Sequence, residues 1–298
     1  MKEIISSDYS IWIGEKSFSK LNVKSYSKVA ILVDENTKKN CLKKIPKIEN
    51  SIIIEIQSGE ENKNLQTCNF IWQELTNHAF DRNSLLINLG GGVIGDMGGF
   101  CASTYKRGIQ FIHIPTTLLA MTDAAIGGKL GVDFNNLKNQ IGVFSNPKSV
   151  IINPIFLDTL PKKEVKSGFS EVVKYALTSD INLWKMIKKS DFKKLNWEAI
   201  ITYSVKLKNK IILADPTEIG ERKKLNFGHT FGHAIESYYL NNGTPILHGE
   251  AVFMGMILET EISNLLDSEK NEIKNYILSN FKLPYTPFKT ELLNFLKK

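Results

Sequence analysis

Arginine is nearly absent from this chain. Arg82, Arg107 and Arg222 are its only arginines among 38 basic residues, set against 31 acidic ones. The net charge of +7 therefore rests on lysines, most of them on ordinary amphipathic faces. That reads as a solvated surface, and no zinc-finger, RNA-recognition or helix-turn-helix signal argues for a nucleic-acid partner. Arginine is the better bidentate ligand for phosphate or carboxylate, so the few retained here invite a functional reading. Cysteine is scarce too. Cys41, Cys68 and Cys101 form no CxxC pair and are too few for a disulfide framework, so a reducing cytoplasm is expected. No apolar run approaches the roughly 18 residues of a membrane span. The segment Met1–Ser6 lacks the basic-then-apolar plan of a secretory signal. Repeats and low-complexity tracts are missing as well.

What is present is a globular composition, 42% hydrophobic and 23% charged, in 298 residues, enough for one large or two ordinary domains. Up to about residue 157, short β-rich runs alternate with helical ones. Ser27–Asp34, Ser51–Ile56, Ser84–Leu89, Ile109–Ile114 and Ser149–Ile152 read as buried strands, and Asn64–His78 as a helix. Alternation of this kind predicts a mostly parallel sheet with helices on both faces. After Pro161 no strand is indicated. Apolar residues recur at helical spacing over Lys162–Leu177, Asn196–Ala214, Lys223–Leu240, His248–Leu266 and Glu269–Leu278. The expected fold is an N-terminal Rossmann-like α/β domain over 1–157, followed by an all-helical domain over 158–298.

The strand Leu85–Leu89 runs into Gly90-Gly91-Gly92-Val93-Ile94-Gly95-Asp96, and Gly98 and Gly99 follow. Glycines between a strand and a helix let backbone N–H groups approach a phosphate at the positive helix end. The spacing matches neither the usual dinucleotide fingerprint nor a Walker A loop. Asp34 at the end of the first strand, and the turn from Ser58 and Gly59 through Glu60 to Lys63, offer acidic groups for ribose hydroxyls. Thr116 and Thr117 offer hydroxyls. Plain turn chemistry explains each of these equally well.

The run Asn226-Phe227-Gly228-His229-Thr230-Phe231-Gly232-His233-Ala234-Ile235-Glu236, with Leu247-His248-Gly249-Glu250 after it, holds three of the five histidines. His229 and His233 are four apart and share a helix face. His248 follows a Gly-Thr-Pro turn, from which it can fold back onto that face. Converging imidazoles of this kind suggest a divalent metal site, whose catalytic form needs a third ligand and an open position.

Together with Thr104-Tyr105-Lys106-Arg107-Gly108, Ile114–Ala120, Ile126-Gly127-Gly128-Lys129, Glu171-Val172-Val173-Lys174-Tyr175 and His248–Val252, these stretches stand in one collinear order. In that order the chain resembles the 3-dehydroquinate synthases of the sugar-phosphate cyclase superfamily, from the first strand to about Met256. The resemblance implies an NAD- and metal-dependent lyase of the shikimate pathway, which makes the precursor of the aromatic amino acids. Its substrate is the sugar-acid phosphate DAHP and its products are 3-dehydroquinate and phosphate. Transient oxidation by NAD acidifies a C–H, phosphate leaves by β-elimination, the ketone is reduced again, and an aldol closure makes the ring. The same resemblance implies a homodimer and one zinc or cobalt ion.

By that resemblance the metal ligands are Glu171, His229 and His248, and His233 is an active-site histidine outside the ligand set. Arg107, Lys129, Lys138, Asn139, Lys174, Lys208, Arg222 and Asn226 match the family's substrate-site residues, and Asp123 its acidic residue near the nicotinamide. The nucleotide site takes in Asp34, Ser58, Gly59, Glu60, Lys63, Gly91, Gly92, Val93, Ile94, Gly95, Asp96, Thr116 and Thr117. It extends to Asp123, Lys129, Lys138, Phe156, Leu157, Asp158 and Thr159. Spacing alone makes Lys208 a surface lysine on a helix; the resemblance reverses that.

The chain departs from the family pattern in four places. Leu137-Lys138-Asn139 stands where Gly-Lys-Asn is usual, after Asp133-Phe134-Asn135-Asn136. Asp215-Pro216 replaces Asp-Glu. Glu221, Lys223 and Lys224 surround Arg222 where apolar residues are common. The family also continues past the equivalent of Phe295–Lys298 with a tail carrying one more phosphate-site lysine, so a C-terminally shortened and catalytically impaired NAD-binding homologue is one alternative expectation. Another NAD- and metal-dependent sugar-phosphate cyclase is a second, with the carboxylate-binding pair Arg222 and Asn226 favouring the dehydroquinate reaction. A metal-dependent alcohol or glycerol dehydrogenase is more distant, since it needs fewer lysines and releases NADH.

Overall fold

The computed structural model describes residues 1–135, 137–285 and 291–292; Asn136 and the 295–298 stretch named above lie outside the described residues. The chain splits into two compact units. One is Met1–Leu160 with Trp197–Asn209, the other Pro161–Asn196 with Lys210–Lys298. No helix among the described residues is long and apolar enough to cross a membrane.

The strands of the first unit are β1 (Lys2–Ile5), β2 (Ser10–Ile13), β3 (Val29–Asp34), β4 (Ile52–Ile56), β5 (Leu85–Gly90), β6 (Gln110–Pro115), β7 (Lys129–Phe134), β8 (Leu137–Phe144) and β9 (Ser149–Ile152). Seven of them form one sheet in the order β1-β2-β9-β6-β5-β3-β4, and β7 and β8 form a separate hairpin. All pairings in the larger sheet are parallel except β1 with β2. The five strands expected from the sequence, β3, β4, β5, β6 and β9, all belong to this sheet and pair in parallel, with β4 at one edge. The apolar runs of β3, β5, β6 and β9 are continuous because both faces are covered, and β5 is buried from end to end, whereas the edge strand β4 alternates exposed and buried residues. Helices α1 (Glu35–Asn40), α2 (Leu65–Asn77) and α3 (Gly92–Thr104) connect them.

The sequence reading missed β1, β2, β7 and β8. The first two have four residues each, too few for a periodic signal. β8 alternates exposed and half-buried positions with no buried residue, so polar side chains mask its strand pattern. Leu130 and Val132 of β7 nevertheless join the core that Leu32, Leu86, Met97 and Phe100 build.

Strand order reverses at β3. The chain leaves β3 for β4 on one side and returns to β5 on the other. Ligands of open α/β sheets bind at the carboxyl ends of the strands flanking such a switch point. Here those ends carry Asp34 and Gly90. Behind the turn, a Cβ on Gly98 would stand 2.1 Å from Asn88 Oδ1, and one on Gly99 2.5 Å from Leu130 Cδ2. These two glycines let α3 lie directly on the sheet and the hairpin.

The second unit is helical: α4 (Lys162–Ser179), α5 (Ile181–Lys189), the end of α6 (Trp197–Ala214), α7 (His229–Asn241), α8 (His248–Glu261) and α9 (Asp267–Asn280). The helix expected over Lys223–Leu240 is broken. Glu221–Asn226 forms a 3-10 turn, and Gly228 at φ +80 separates it from α7. Only glycine adopts that conformation without strain. The next expected helix stops at Glu261 rather than Leu266. Helix α5, unforeseen, is capped by the Asp180 carboxylate and buries Leu183, Trp184 and Ile187. Phe281, just after α9, stacks 4.2 Å from Phe253 of α8.

α7 and α8 pack with almost no space between their backbones. A Cβ on Gly255 would lie 2.0 Å from the Gly228 carbonyl oxygen, and one on Gly249 2.0 Å from that of Ser167 on α4. Backbone atoms cannot swing aside as side-chain ends can. Gly255→Ala should therefore lower the unfolding free energy of the chain by about 1–3 kcal/mol in urea titrations; an unchanged midpoint would contradict this packing.

Candidate active site

Three donors meet in the second unit. Glu171 lies in the middle of α4 with no exposed surface, His229 opens α7 and His248 opens α8. Glu171 Oε1 is 3.4 Å from His229 Nε2 and 3.9 Å from His248 Nε2. One ligand atom from each of the three falls within 4.8 Å of the other two. Lys174, one turn along α4 and almost fully buried, is paired with Glu171 Oε2. The other ring nitrogens are engaged as well. His229 Nδ1 is 3.2 Å from the Phe227 carbonyl, and His248 Nδ1 is 3.5 Å from Glu236 Oε2. The His233 ring is exposed and stands 5.4 Å from that of His229.

The loop before α7 is tied down from two sides. Glu259 of α8 accepts the Gly228 N–H at 2.8 Å, so it caps the helix that starts with His229. Asp215 accepts the N–H groups of Ile219, Gly220 and Arg222, and those backbone bonds hold its carboxyl below the usual carboxylate range. Arg222 is buried and donates from Nη1 to the Pro216 carbonyl at 2.8 Å. The Asp215-Pro216 departure is thus accommodated through a carbonyl, which proline retains. Glu221 and Lys224 pair with each other at 2.7 Å on the outer side of this turn. Asn226 is exposed and donates to Glu218 at 2.9 Å.

The first unit gathers a second set of the expected residues. Helix α3 starts at Gly92 with Gly91 as its cap and no side-chain acceptor on its first N–H groups. Thr117 comes within 3.1 Å of a Cβ built on Gly91, and the Thr116 N–H donates to the Gly90 carbonyl at 2.9 Å. Lys63 is buried and donates to Asp96 and Asn139, both at 2.6 Å. Burial disfavours its charge, but the carboxylates of Asp96 and Glu60 outweigh that and raise its pKa above the usual lysine value. Lys138 pairs with Glu60 at 3.4 Å. Ser58 accepts from Asn36 and receives the Glu35 carboxylate on its own N–H. Asp34 caps α1 through the Thr37 N–H.

Lys208 is not a surface lysine. It is buried and donates to both the carboxylate and the carbonyl of Asp123, at 2.7 and 2.8 Å. Asp123 sits in a π-helical turn, Ala120–Ala124, a form concentrated at functional positions. Other expected residues have different settings. Arg107 is exposed at φ +66 and pairs with no carboxylate among the described residues. Lys129 is exposed at the start of β7. Phe156 and Leu157 are buried, with Phe156 edge-on to Phe18 at 5.9 Å, so their side chains serve the core. Asp158 and Thr159 end the same 3-10 turn at the surface.

This geometry has counterparts among known proteins. The N-terminal 3-dehydroquinate synthase family model matches residues 53–167 and the C-terminal one residues 168–297. The chain belongs to the 3-dehydroquinate synthase family. It is 44% identical over 247 residues to a 3-dehydroquinate synthase of Parabacteroides distasonis, covering 81% of this chain and 70% of that one. With the enzyme of Campylobacter concisus it shares 42% over 286 residues, 94% of this chain and 81% of the relative. A solved 2-deoxy-scyllo-inosose synthase, complexed with carbaglucose-6-phosphate, NAD+ and Co2+, has the same fold. Its TM-score is 0.84 at 24% identity, with 99% of this chain and 86% of that one covered. The 2-epi-5-epi-valiolone synthase of Streptomyces hygroscopicus, with NAD+ and Zn2+ bound, gives 0.86 at 21% identity over 99% and 87%.

Within this member of the family, sequence reasoning overlooked Glu236, Glu259 and the pair Asn88 and His113. Glu236 had a signal, because it continues the helix face of His229 and His233 by three residues. The others had none, since they act across elements distant in sequence. His113 lies inside the sheet, 3.3 Å from Asn88 Nδ2, and burial pushes its pKa down to about 4. Unfolding restores an ordinary histidine value near 6.5, so below that pH the unfolded chain takes up a proton that the folded one refuses. Stability from the neutral imidazole is full above pH ~6.5 and falls by about 3 kcal/mol as pH drops toward 4. His113→Leu should remove that slope, measured as the difference between urea unfolding free energies of the two proteins across this range. Parallel pH profiles would contradict the assignment.

Proposed function

We propose that the chain is a 3-dehydroquinate synthase in activity as well as ancestry: a phosphate-eliminating lyase converting DAHP to 3-dehydroquinate, with NAD and one divalent zinc or cobalt ion. The observation that carries this reading is the convergence of Glu171, His229 and His248 on one point. A carboxylate and two imidazoles, with Nε2 of both rings turned to the carboxylate, are the donor chemistry of a catalytic zinc site. The uncapped, glycine-led start of α3 beside the switch point suits a dinucleotide diphosphate in the same way. The buried, unpaired cysteines agree with a cytoplasmic enzyme, and the family resemblance supports a homodimer.

When bound, the metal supplies Lewis-acid polarisation of a substrate hydroxyl, and NAD takes up hydride and returns it within one turnover. The chain's own residues do the rest. Lys174 sets its side-chain nitrogen against Glu171 inside the unit and so holds the carboxylate in place as a metal ligand. His233, exposed beside the His229 and His248 rings, is positioned to accept or deliver a substrate proton. Arg222 and Asn226 provide the donors that a substrate carboxylate needs. Lys208 fixes Asp123 by gripping both its side chain and its backbone. Lys63 ties the Asp96 end of the glycine turn to Asn139, next to Lys138.

Incubated with DAHP, NAD and Zn2+, the protein should release phosphate and form dehydroquinate in equal amounts without net NADH. Phosphate release without dehydroquinate, or steady accumulation of NADH, would contradict the assignment. His248→Ala should lose the metal on dialysis and lose turnover while still binding NAD. Equal metal content in variant and parent, by elemental analysis, would remove His248 from the ligand set.

A further inference from the structure

Both ligand histidines present Nε2 to Glu171, and in each the Nδ1 atom faces an oxygen. For His229 that oxygen is a backbone carbonyl, Phe227 O at 3.2 Å, a fixed part of the turn. For His248 it is the Glu236 carboxylate, 3.5 Å away on α7, with a side chain only 12% exposed. We propose that Glu236 is the positioning residue of this centre: it accepts the Nδ1 proton of His248 and so fixes the tautomer and ring orientation that turn the Nε2 lone pair to the metal. This rests on the metal reading above.

The chemistry has two consequences. Free imidazole favours the opposite tautomer, with the proton on Nε2, which cannot ligate until that proton is lost. A carboxylate on Nδ1 reverses the preference and makes Nε2 a stronger donor. The position of Glu236 also follows from helix geometry. His229, His233 and Glu236 lie at successive turns of one α7 face, so the helix that supplies one ligand also orients another on α8. Another arrangement is open to the same atoms, because His233, Glu236 and His248 themselves form a group able to hold a cation. In that case Glu236 would be a ligand of a second ion rather than an orienting acceptor.

The test uses the full chain with 15N-labelled histidine, as the parent protein, Glu236→Ala and Glu236→Gln. In the metal-free parent, ring-nitrogen shifts should report His248 protonated on Nδ1; in Glu236→Ala the population should move toward Nε2–H. Zn2+ affinity, measured by competition with a chelator, should fall about 10- to 100-fold in Glu236→Ala. Glu236→Gln, whose amide oxygen still accepts the proton, should recover most of that loss. An unchanged tautomer and affinity in Glu236→Ala would overturn the proposal. So would two Zn2+ per parent chain falling to one in the variant. A parent that binds no Zn2+ yet shows the tautomer change would overturn the metal reading and leave the Glu236 contact established.

Discussion

The second unit is organised around one carboxylate that has no access to water. Glu171 is fully buried in the middle of α4. An ionised carboxylate in such a place is strongly unfavourable unless cations and hydrogen-bond donors surround it. Lys174 on the same helix meets part of that demand directly, and the first residues of two other helices, His229 and His248, bring Nε2 to 3.4 and 3.9 Å from the carboxylate, where together with it they would hold the metal cation. Their approach requires backbones nearly in contact, which is why Gly228, Gly249 and Gly255 occur where any Cβ would collide with a neighbouring chain. The close packing of the helices and the convergence of donors are one constraint. A site assembled this way is rigid, because moving either histidine means unpacking a helix end.

The first unit solves a different problem, the approach of backbone donors to an anion. A parallel sheet brings the ends of β3 and β5 side by side, and the glycines of α3 let that helix settle on the strands with its first N–H groups uncapped. Lys63 then stitches the helix start to β8 through Asp96 and Asn139. A lysine so buried is stable only because carboxylates on both sides compensate its lost hydration. Asp123 and Lys208 repeat the device in the same unit. In each unit, therefore, a buried lysine locks an acidic residue into a fixed orientation beside the proposed chemistry.

Much of this was legible in the sequence, for physical reasons that differ by element. The central strands were found because burial on both faces leaves uninterrupted apolar runs, and α4, α8 and α9 because apolar residues recur along them at helical spacing. The four-residue strands β1 and β2 and the hairpin strand β8 were missed because short or half-exposed strands carry little periodic signal. The break at Gly228 was missed since glycine inside a helical pattern does not announce a left-handed turn. His229, His233 and His248 were conspicuous as a histidine cluster, whereas Glu171 came only from family resemblance, being an unremarkable glutamate in a helix. Lys208 is the sharpest case. Its helical spacing spoke for the surface, and its burial depends on Asp123, 85 residues away. Partners that far apart leave no trace in local pattern.

The central claim is that Glu171, His229 and His248 hold one metal ion. Anomalous diffraction at the zinc edge, from crystals grown with Zn2+, tests it most directly. The account predicts a single peak about 2.0–2.2 Å from Nε2 of His229, Nε2 of His248 and a Glu171 oxygen. A peak bound instead by His233, Glu236 and His248, or no peak near Glu171 in zinc-saturated crystals, would contradict it.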